Sequence, residues 1–321
     1  MMTILTSAKS FGGSESELQR QAFGNWRRSC PDAEIVLFGA CEGAEEVCRE
    51  LGIRRVAEVA CAPSGIPYFD AMARWAAENA RYEICAYLNA DIVMPRGFGG
   101  AVFCYSKKEQ EEGEAGFCYS KKGQGEGARR GDFLMVGQRV DLKRVAVFDP
   151  DHFDDELKRV LQMRQAEVHR PSGMDFFVFR RGMFQDLKPL IVGRGGYDSA
   201  LVASCLRQGI PVIDASFALP VIHPWHDYGH LPGGKQQAHY GADAQANFRI
   251  HGLRSFGPNC VDADLMLLRT GEIVPNKRRS WLRMLEMAWY YKRGWRGCPR
   301  FCQVWHVLTR GGRLVEQPKW G

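Results

Sequence analysis

The chain lacks any run approaching the roughly eighteen apolar residues that a membrane span requires. Its start, Met1-Met2-Thr3-Ile4-Leu5-Thr6, has neither the basic region nor the apolar stretch of a secretory signal. Zinc-type cysteine pairs are missing as well. The 11 cysteines are scattered, with Cys298 and Cys302 an isolated couple, as expected of reduced, mostly buried thiols in a cytoplasmic protein. Around Gly193-Arg194-Gly195-Gly196 no G-x-G-x-x-G register follows a strand, which excludes a dinucleotide fingerprint there. A net charge of +6 is modest and gives no indication of a nucleic-acid partner. What remains is 321 residues, 45% apolar and 25% charged: an ordinary globular composition, long enough for one large α/β domain or two modest ones.

The N-terminal third alternates between strand and helix patterns. Ile4 to Ser7 reads as a first strand, and Ser14 or Ser16 can cap a helix to about Arg28, with Leu18, Ala22 and Trp26 on one face. Glu34 to Phe38 is a second strand closed by Gly39. A helix from about Gly43 to Leu51 precedes an extended segment, Arg54 to Val59. Gly65-Ile66-Pro67 leads into a helix with Phe69, Met72, Ala73, Ala76 and Ala80 on one face. Such alternation implies a parallel sheet with right-handed crossovers.

The strand Glu83 to Leu88 then ends in Asn89-Ala90-Asp91. An amide and a carboxylate at the C-terminal edge of such a strand stand where open α/β sheets bind ligands. Hard cations take oxygen ligands there, with a nucleotide diphosphate supplying others; a turn or helix-capping role for Asp91 is the alternative. In this geometry Thr6, Ser7 and Lys9 lie near a nucleotide's base and phosphates, unless Lys9 is a solvated loop charge.

In the middle, Phe103-Cys104-Tyr105-Ser106-Lys107-Lys108 recurs as Phe117-Cys118-Tyr119-Ser120-Lys121-Lys122. Both copies trail into Gly, Glu and Gln, which bury little surface. Residues of about 104–131 are therefore expected to be a duplicated mobile insertion, with an active-site lid as the alternative. Structure resumes at Asp132 to Val136.

The second half supplies further polar groups. Ser172-Gly173-Met174-Asp175 turns into the aromatic strand Phe176 to Phe179. Asp198 stands near the N-terminus of an apolar helix, Ala200 to Leu206, either as a cap favoured by the dipole or as a general base. Strands are expected at Ile210 to Ala215 and Ala218 to Ile222. Then comes His223-Pro224-Trp225-His226-Asp227-Tyr228-Gly229-His230, which holds three of the chain's 8 histidines. Pro224 and Gly229 favour a loop. Its imidazoles are suited to a divalent metal or a phosphate, or to packing against Trp225 and Tyr228.

In this order, Asn-x-Asp after a strand, Ser-Gly-x-Asp-Phe-Phe-Val-Phe, Gly-Arg-x-x-x-Asp and Ile-His-x-x-His-Asp-Tyr-x-His resemble GT-A-type glycosyltransferase-like proteins, the nucleotide-diphospho-sugar transferase-like family of plants and bacteria. The resemblance runs from about Thr3 to Asn247 and is most specific from Ser172 to His230. It implies a GT-A-like α/β fold: a mixed, mainly parallel sheet flanked by helices over residues 1–250, followed by a C-terminal helical extension, 251–321. It implies that Asn89 and Asp91 occupy the acidic metal motif, which binds Mn²⁺ or Mg²⁺ and the donor diphosphate, with Asp91 the principal ligand. His223 completes the metal shell, with His226 its competitor. Asp198 matches the catalytic base of inverting members, Asp175 and Phe176 line the acceptor side, and Arg139 faces phosphate. Asn89 departs from the family pattern, which has an acid there.

The activity so implied is metal-dependent transfer of a sugar from a nucleotide-diphosphate donor to a glycan, lipid or protein acceptor. A non-catalytic sugar-nucleotide or glycan-binding protein on the same fold is the alternative, and a metal-dependent phosphoesterase built on the His-rich loop is a third. At the C-terminus Trp281, Met284, Leu285, Ala288, Tyr291 and Trp295 recur at helical spacing among Lys277, Arg278, Arg279, Arg283, Lys292, Arg293 and Arg296. That stripe packs on its own domain or gives peripheral membrane contact.

Overall fold

A computed structural model describes residues 1–13, 15–102, 129, 131–226, 234–252 and 257–276. Among them, strands β1 (Thr3–Ser7), β2 (Glu34–Phe38), β3 (Arg54–Val56) and β4 (Ile84–Leu88) are separated by helices α1 (Ser16–Ser29), α2 (Ala44–Leu51) and α3 (Phe69–Asn79). After β5 (Leu134–Leu142) come α4 (Phe153–Gln162), β6 (Ala166–Val168), β7 (Met174–Arg180), α5 (Tyr197–Gln208), β8 (Val212–Asp214) and β9 (Val221–His223). Helices α6 (Gly234–Tyr240) and α7 (Ala242–His251) and strands β10 (Leu265–Leu267) and β11 (Ile273–Pro275) complete the described chain.

The strands form one mixed sheet in the order β11-β10-β8-β5-β7-β4-β1-β2-β3, with β6 and β9 both paired to β5. β1 to β4 run parallel, β7 is antiparallel between β4 and β5, and β8 and β10 are parallel to β5 and β8 respectively. Successive residues of the central strands enter opposite cores. Ile4, Ile35 and Leu37 face α1 and α2, while Leu5, Val36 and Phe38 face α3. Covered on both faces, these strands read as unbroken apolar runs.

Helix α1 buries Gln19, Ala22, Phe23 and Trp26, so its inner face is centred slightly off the Leu18, Ala22, Trp26 stripe, and Leu18 is half-buried. Ser16 is the first helical residue rather than a cap, and Glu15 at the cap position makes no side-chain capping bond; Ser14 lies outside the described residues. Trp26 Nε1 donates to the Ile92 carbonyl at 2.7 Å, tying α1 to the segment after β4.

Strand β5 is longer than the sequence suggests, and it places the site. Its first half lies in the main sheet between β7 and β8; its second half pairs with β6 and β9. The change occurs at an irregularity between Val136 and Gln138. Only glycine fits at residue 137, because a Cβ there would stand 2.7 Å from Phe176 Cε1.

The helical extension expected after residue 250 is corrected over residues 265–275. Residues 265–275 are not helical: β10 joins the sheet beside β8, and β11 folds back antiparallel on β10. Two short apolar runs around Gly271, whose φ is +79°, make a hairpin that buries Leu265 and Leu267. The helix expected over Trp281–Trp295 and most of the duplicated insertion lie outside the described residues. Among the described residues, no helix is long and apolar enough to cross a membrane.

Candidate functional site

A cleft of about 960 Å³ opens at the C-terminal ends of β1 and β4 and is closed on its other side by the segment before α5, the β6–β7 turn and α6. Backbone pairing brings its residues together. Val93 and Ile222 exchange hydrogen bonds, Val93 N–H to the Ile222 carbonyl at 2.9 Å and Ile222 N–H to the Val93 carbonyl at 2.8 Å. Asp91 lies two residues before that bridge and His223 one residue after it. The parallel register of β5 with β9 sets Asp141 beside His223, and the Asn89 N–H donates to the Asp175 carbonyl at 3.2 Å.

Asp91, His223 and His226 converge, each offering one ligand atom, with all three atoms within 4.8 Å of one another. His226 Nε2 is 3.3 Å and His223 Nε2 4.0 Å from Asp91 Oδ2. The Lys9 ammonium is 3.8 Å from the same oxygen and 3.8 Å from Glu15. Burial opposes the charge on Asp91, but the hydrogen bond from His226 and the nearby positive charge outweigh it and hold the carboxyl well below its usual range. Burial is also the main cause that pushes His223 down to about 4. Neutral imidazole is the form that ligates a metal. Its other ring nitrogen, Nδ1, faces Asp141 Oδ1 at 3.6 Å, which directs Nε2 toward Asp91. One carboxylate and two imidazoles form a donor set fit for a divalent transition cation.

Asn89 is not part of that set. Its amide nitrogen donates to Asp175 Oδ1, and its oxygen accepts from the Tyr197 hydroxyl at 3.3 Å. Arg139 Nη1 donates to Asp175 Oδ2 at 2.8 Å and its Nε to Asp141 Oδ1 at 2.7 Å. The guanidinium expected to face phosphate is thus clamped between two carboxylates at the cleft wall. Asp141 also accepts from, or shares a proton with, His169 Nδ1. Burial opposes ionisation of Asp141, yet the His169 hydrogen bond and the Arg139 charge bring it down to about 2.

Asp198 lies in the first turn of α5 and lines the same cleft. It accepts the Ser199 N–H at 2.7 Å, within the first turn, where the helix dipole favours an acidic group. Burial raises its carboxyl to about 7, helped by the charge of Asp175. The glycines before it are needed for closeness: Gly196 has φ +85°, and a Cβ on Gly195 would stand 2.4 Å from the His239 carbonyl oxygen.

Two expected contacts are corrected. Thr6 is fully buried, and its hydroxyl donates to the Leu88 carbonyl at 2.8 Å, stitching β1 to β4 instead of meeting a nucleotide. Phe176 follows Asp175 but alternates to the sheet's far face, where it is buried against Phe98. Ser7, Lys9, Asn89, Asp91, Arg139, Asp175, Asp198, His223 and His226 all line the cleft. Asp227, Tyr228 and His230 lie outside the described residues. Sequence reasoning missed Asp141, His169 and Tyr197. Asp141 carried one signal, sharing a strand face with Arg139 two positions earlier; His169, in a turn, carried none.

No protein-family model matches the chain, and no curated protein does. Among solved structures, it is similar to TarS of S. aureus in complex with UDP-GlcNAc, at 8% identity and a TM-score of 0.34, over 58% of this chain and 46% of that one. The chain thus spans about half the length of that TarS structure. It is also similar to glucosyl-3-phosphoglycerate synthase from Mycobacterium tuberculosis in complex with Mn²⁺ and UDP-glucose, at 14% identity and a TM-score of 0.40, over 79% and 80% of the two chains.

Proposed function

We propose that the chain is a GT-A-like, divalent-metal-dependent glycosyltransferase that takes a sugar from a nucleotide-diphosphate donor and inverts its anomeric centre. One observation carries this reading: Asp91, His223 and His226 converge at the strand ends, in the same cleft that Asp198 lines. Asp91, His223 and His226 would hold the cation, and two imidazoles beside one carboxylate favour Mn²⁺ over Mg²⁺, which prefers oxygen. When bound, such a cation stabilises the charge that develops on the departing diphosphate. Lys9, beside Asp91, adds a fixed positive charge at the same edge. Ser7 lines that edge as well.

Asp198 takes the proton of the acceptor hydroxyl as its oxygen bonds to the anomeric carbon. The bond from that carbon to the diphosphate oxygen breaks, and the nucleoside diphosphate leaves with the electron pair. A carboxyl near 7 is well matched to this task at neutral pH. Asp175 and Arg139 position the wall around the acceptor.

A phosphoesterase built on the histidines needs several carboxylate ligands, whereas the group described has one. A purely binding protein on the same fold would hold the donor without turning it over. The test is a thermal-shift screen of sugar nucleotides with and without Mn²⁺, followed by nucleoside-diphosphate release from the stabilising donor. Stabilisation that requires Mn²⁺, with release abolished in Asp198→Asn, is the expected result. A donor that binds equally well without metal and is never turned over favours the binding protein.

A further inference from the structure

One wall of the cleft that Asp198 lines is rich in basic side chains. His169 and Arg170 lie in the β6–β7 turn, Lys235 and His239 lie on α6, and all four line the cleft. His169 is held in place from several directions. Its Nδ1 is hydrogen-bonded to Asp141, its N–H donates to the Arg139 carbonyl at 2.9 Å, and its carbonyl accepts from Gln138 Nε2 at 2.8 Å. Its ring lies over Gly173, where a Cβ would fall 2.1 Å from Cδ2, so only glycine admits this placement. With Nδ1 engaged, Nε2 is the nitrogen left to meet a ligand.

These groups share a wall with the proposed base. Gly195 N–H donates to the Ala238 carbonyl at 3.0 Å, docking α6 on the segment that leads into Asp198. Their fields meet at one point: after burial, the charges of Lys235, Arg139 and His169 together hold His239 below its ordinary pKa. Lys9 already faces Asp91 and Glu15, and Arg139 is clamped by Asp141 and Asp175. Among the described residues, neither Arg170 nor Lys235 forms an ion pair.

In the transferase reading the donor diphosphate is met at the ends of β1 and β4 by Lys9 and by the cation that Asp91, His223 and His226 would hold. The basic wall stands on other elements, the β6–β7 turn and α6, and lines the same cleft as the proposed base. Building on the transferase reading, we propose that the acceptor is a small hydroxyl compound bearing an oxyanion, phosphate or carboxylate, bound by His169, Arg170 and Lys235 with its hydroxyl toward Asp198. A guanidinium and an imidazole donate directional, charge-assisted hydrogen bonds to such a group, fixing the hydroxyl relative to the base.

Calorimetric titration of the full chain tests this, at about 0.15 M salt so that diffuse surface attraction is screened. The probes are inorganic phosphate, glycerol 3-phosphate, glycerate and glycerol, with Mn²⁺, UDP and a panel of sugar nucleotides titrated separately. Glycerol 3-phosphate or glycerate should bind and glycerol should not, and the stronger of the two identifies the oxyanion. Arg170→Ala, Lys235→Ala and His169→Gln should each weaken that binding about tenfold, with Mn²⁺ affinity unchanged in Arg170→Ala and Lys235→Ala, which do not touch Asp141. No binding of either oxyanion probe overturns the proposal, as does binding that the three substitutions do not alter. Loss of UDP affinity in Arg170→Ala and Lys235→Ala, with the small anions unaffected, overturns it too by assigning the wall to the donor. Binding of Mn²⁺ and a sugar nucleotide without the small anions defeats this proposal alone. Binding of the small anions without Mn²⁺ or any sugar nucleotide instead defeats the transferase reading.

Discussion

The side-chain amide of Asn89 donates to the carboxylate of Asp175 while its oxygen accepts from Tyr197. The residue that departs from the acidic motif is therefore turned away from the Asp91 group and joins β4 to β7 and α5. An aspartate there would set one carboxylate against another, and that accounts for the amide in physical terms.

Replacing Asn89 with Asp should destabilise the fold by about 1–3 kcal/mol, through a lost donor and like-charge repulsion. Chemical denaturation at neutral pH measures this. Mn²⁺ affinity should not rise; a tighter cation in Asn89→Asp would mean that the side chain faces the metal after all.

As the proposed base, Asp198 should set the pH dependence. Its carboxyl lies at about 7 against an ordinary 3.8, with burial the chief cause. As a base it must be ionised, so turnover should rise with pH through about 7 and then level off, and Asp198→Asn should lose transfer while keeping donor affinity. Stability runs the other way. Between 3.8 and about 7 the folded chain holds a proton that the unfolded chain has released, so this group's contribution is fully present below 3.8 and lost as pH rises through 7. Asp198→Asn should accordingly unfold at a higher temperature than the wild type at pH 8, with the gap closing near pH 4. A flat pH–rate profile from pH 5.5 to 8.5 would remove Asp198 from the reaction.

Asp141 orients His223 without belonging to the proposed ligand set. Substitution by Asn removes the charge that faces Nδ1 and should weaken Mn²⁺ about 10–100-fold, with the fold retained. Electron paramagnetic resonance of bound Mn²⁺ reads the affinity directly. Unchanged affinity would confine Asp141 to holding Arg139 and His169.

The strand–helix alternation of the first 90 residues was legible because strands covered on both faces are continuous apolar runs, and helices show a one-sided stripe. The Asp91 group was legible for a related reason: polar residues at strand ends stand out against the apolar runs they terminate. Thr6 and Phe176 were misplaced by the same logic. Adjacency to a polar position in sequence does not fix which face a strand residue takes, and a one-residue step reverses it. Asp141 and His169 escaped notice because their meeting depends on β5 leaving the main sheet at Gly137, a tertiary event that residue types announce only as a glycine within a strand. The β10–β11 hairpin was missed because three-residue strands are too short for a periodic signal.

The central claim is that Asp91, His223 and His226 together hold a divalent cation. Mn²⁺ titration of the wild type against Asp91→Asn, His223→Ala and His226→Ala measures it most directly. One site is expected in the wild type, with each substitution weakening it at least about tenfold and circular dichroism unchanged. A wild-type chain that binds no Mn²⁺, or binds it equally well after all three substitutions, would contradict the account.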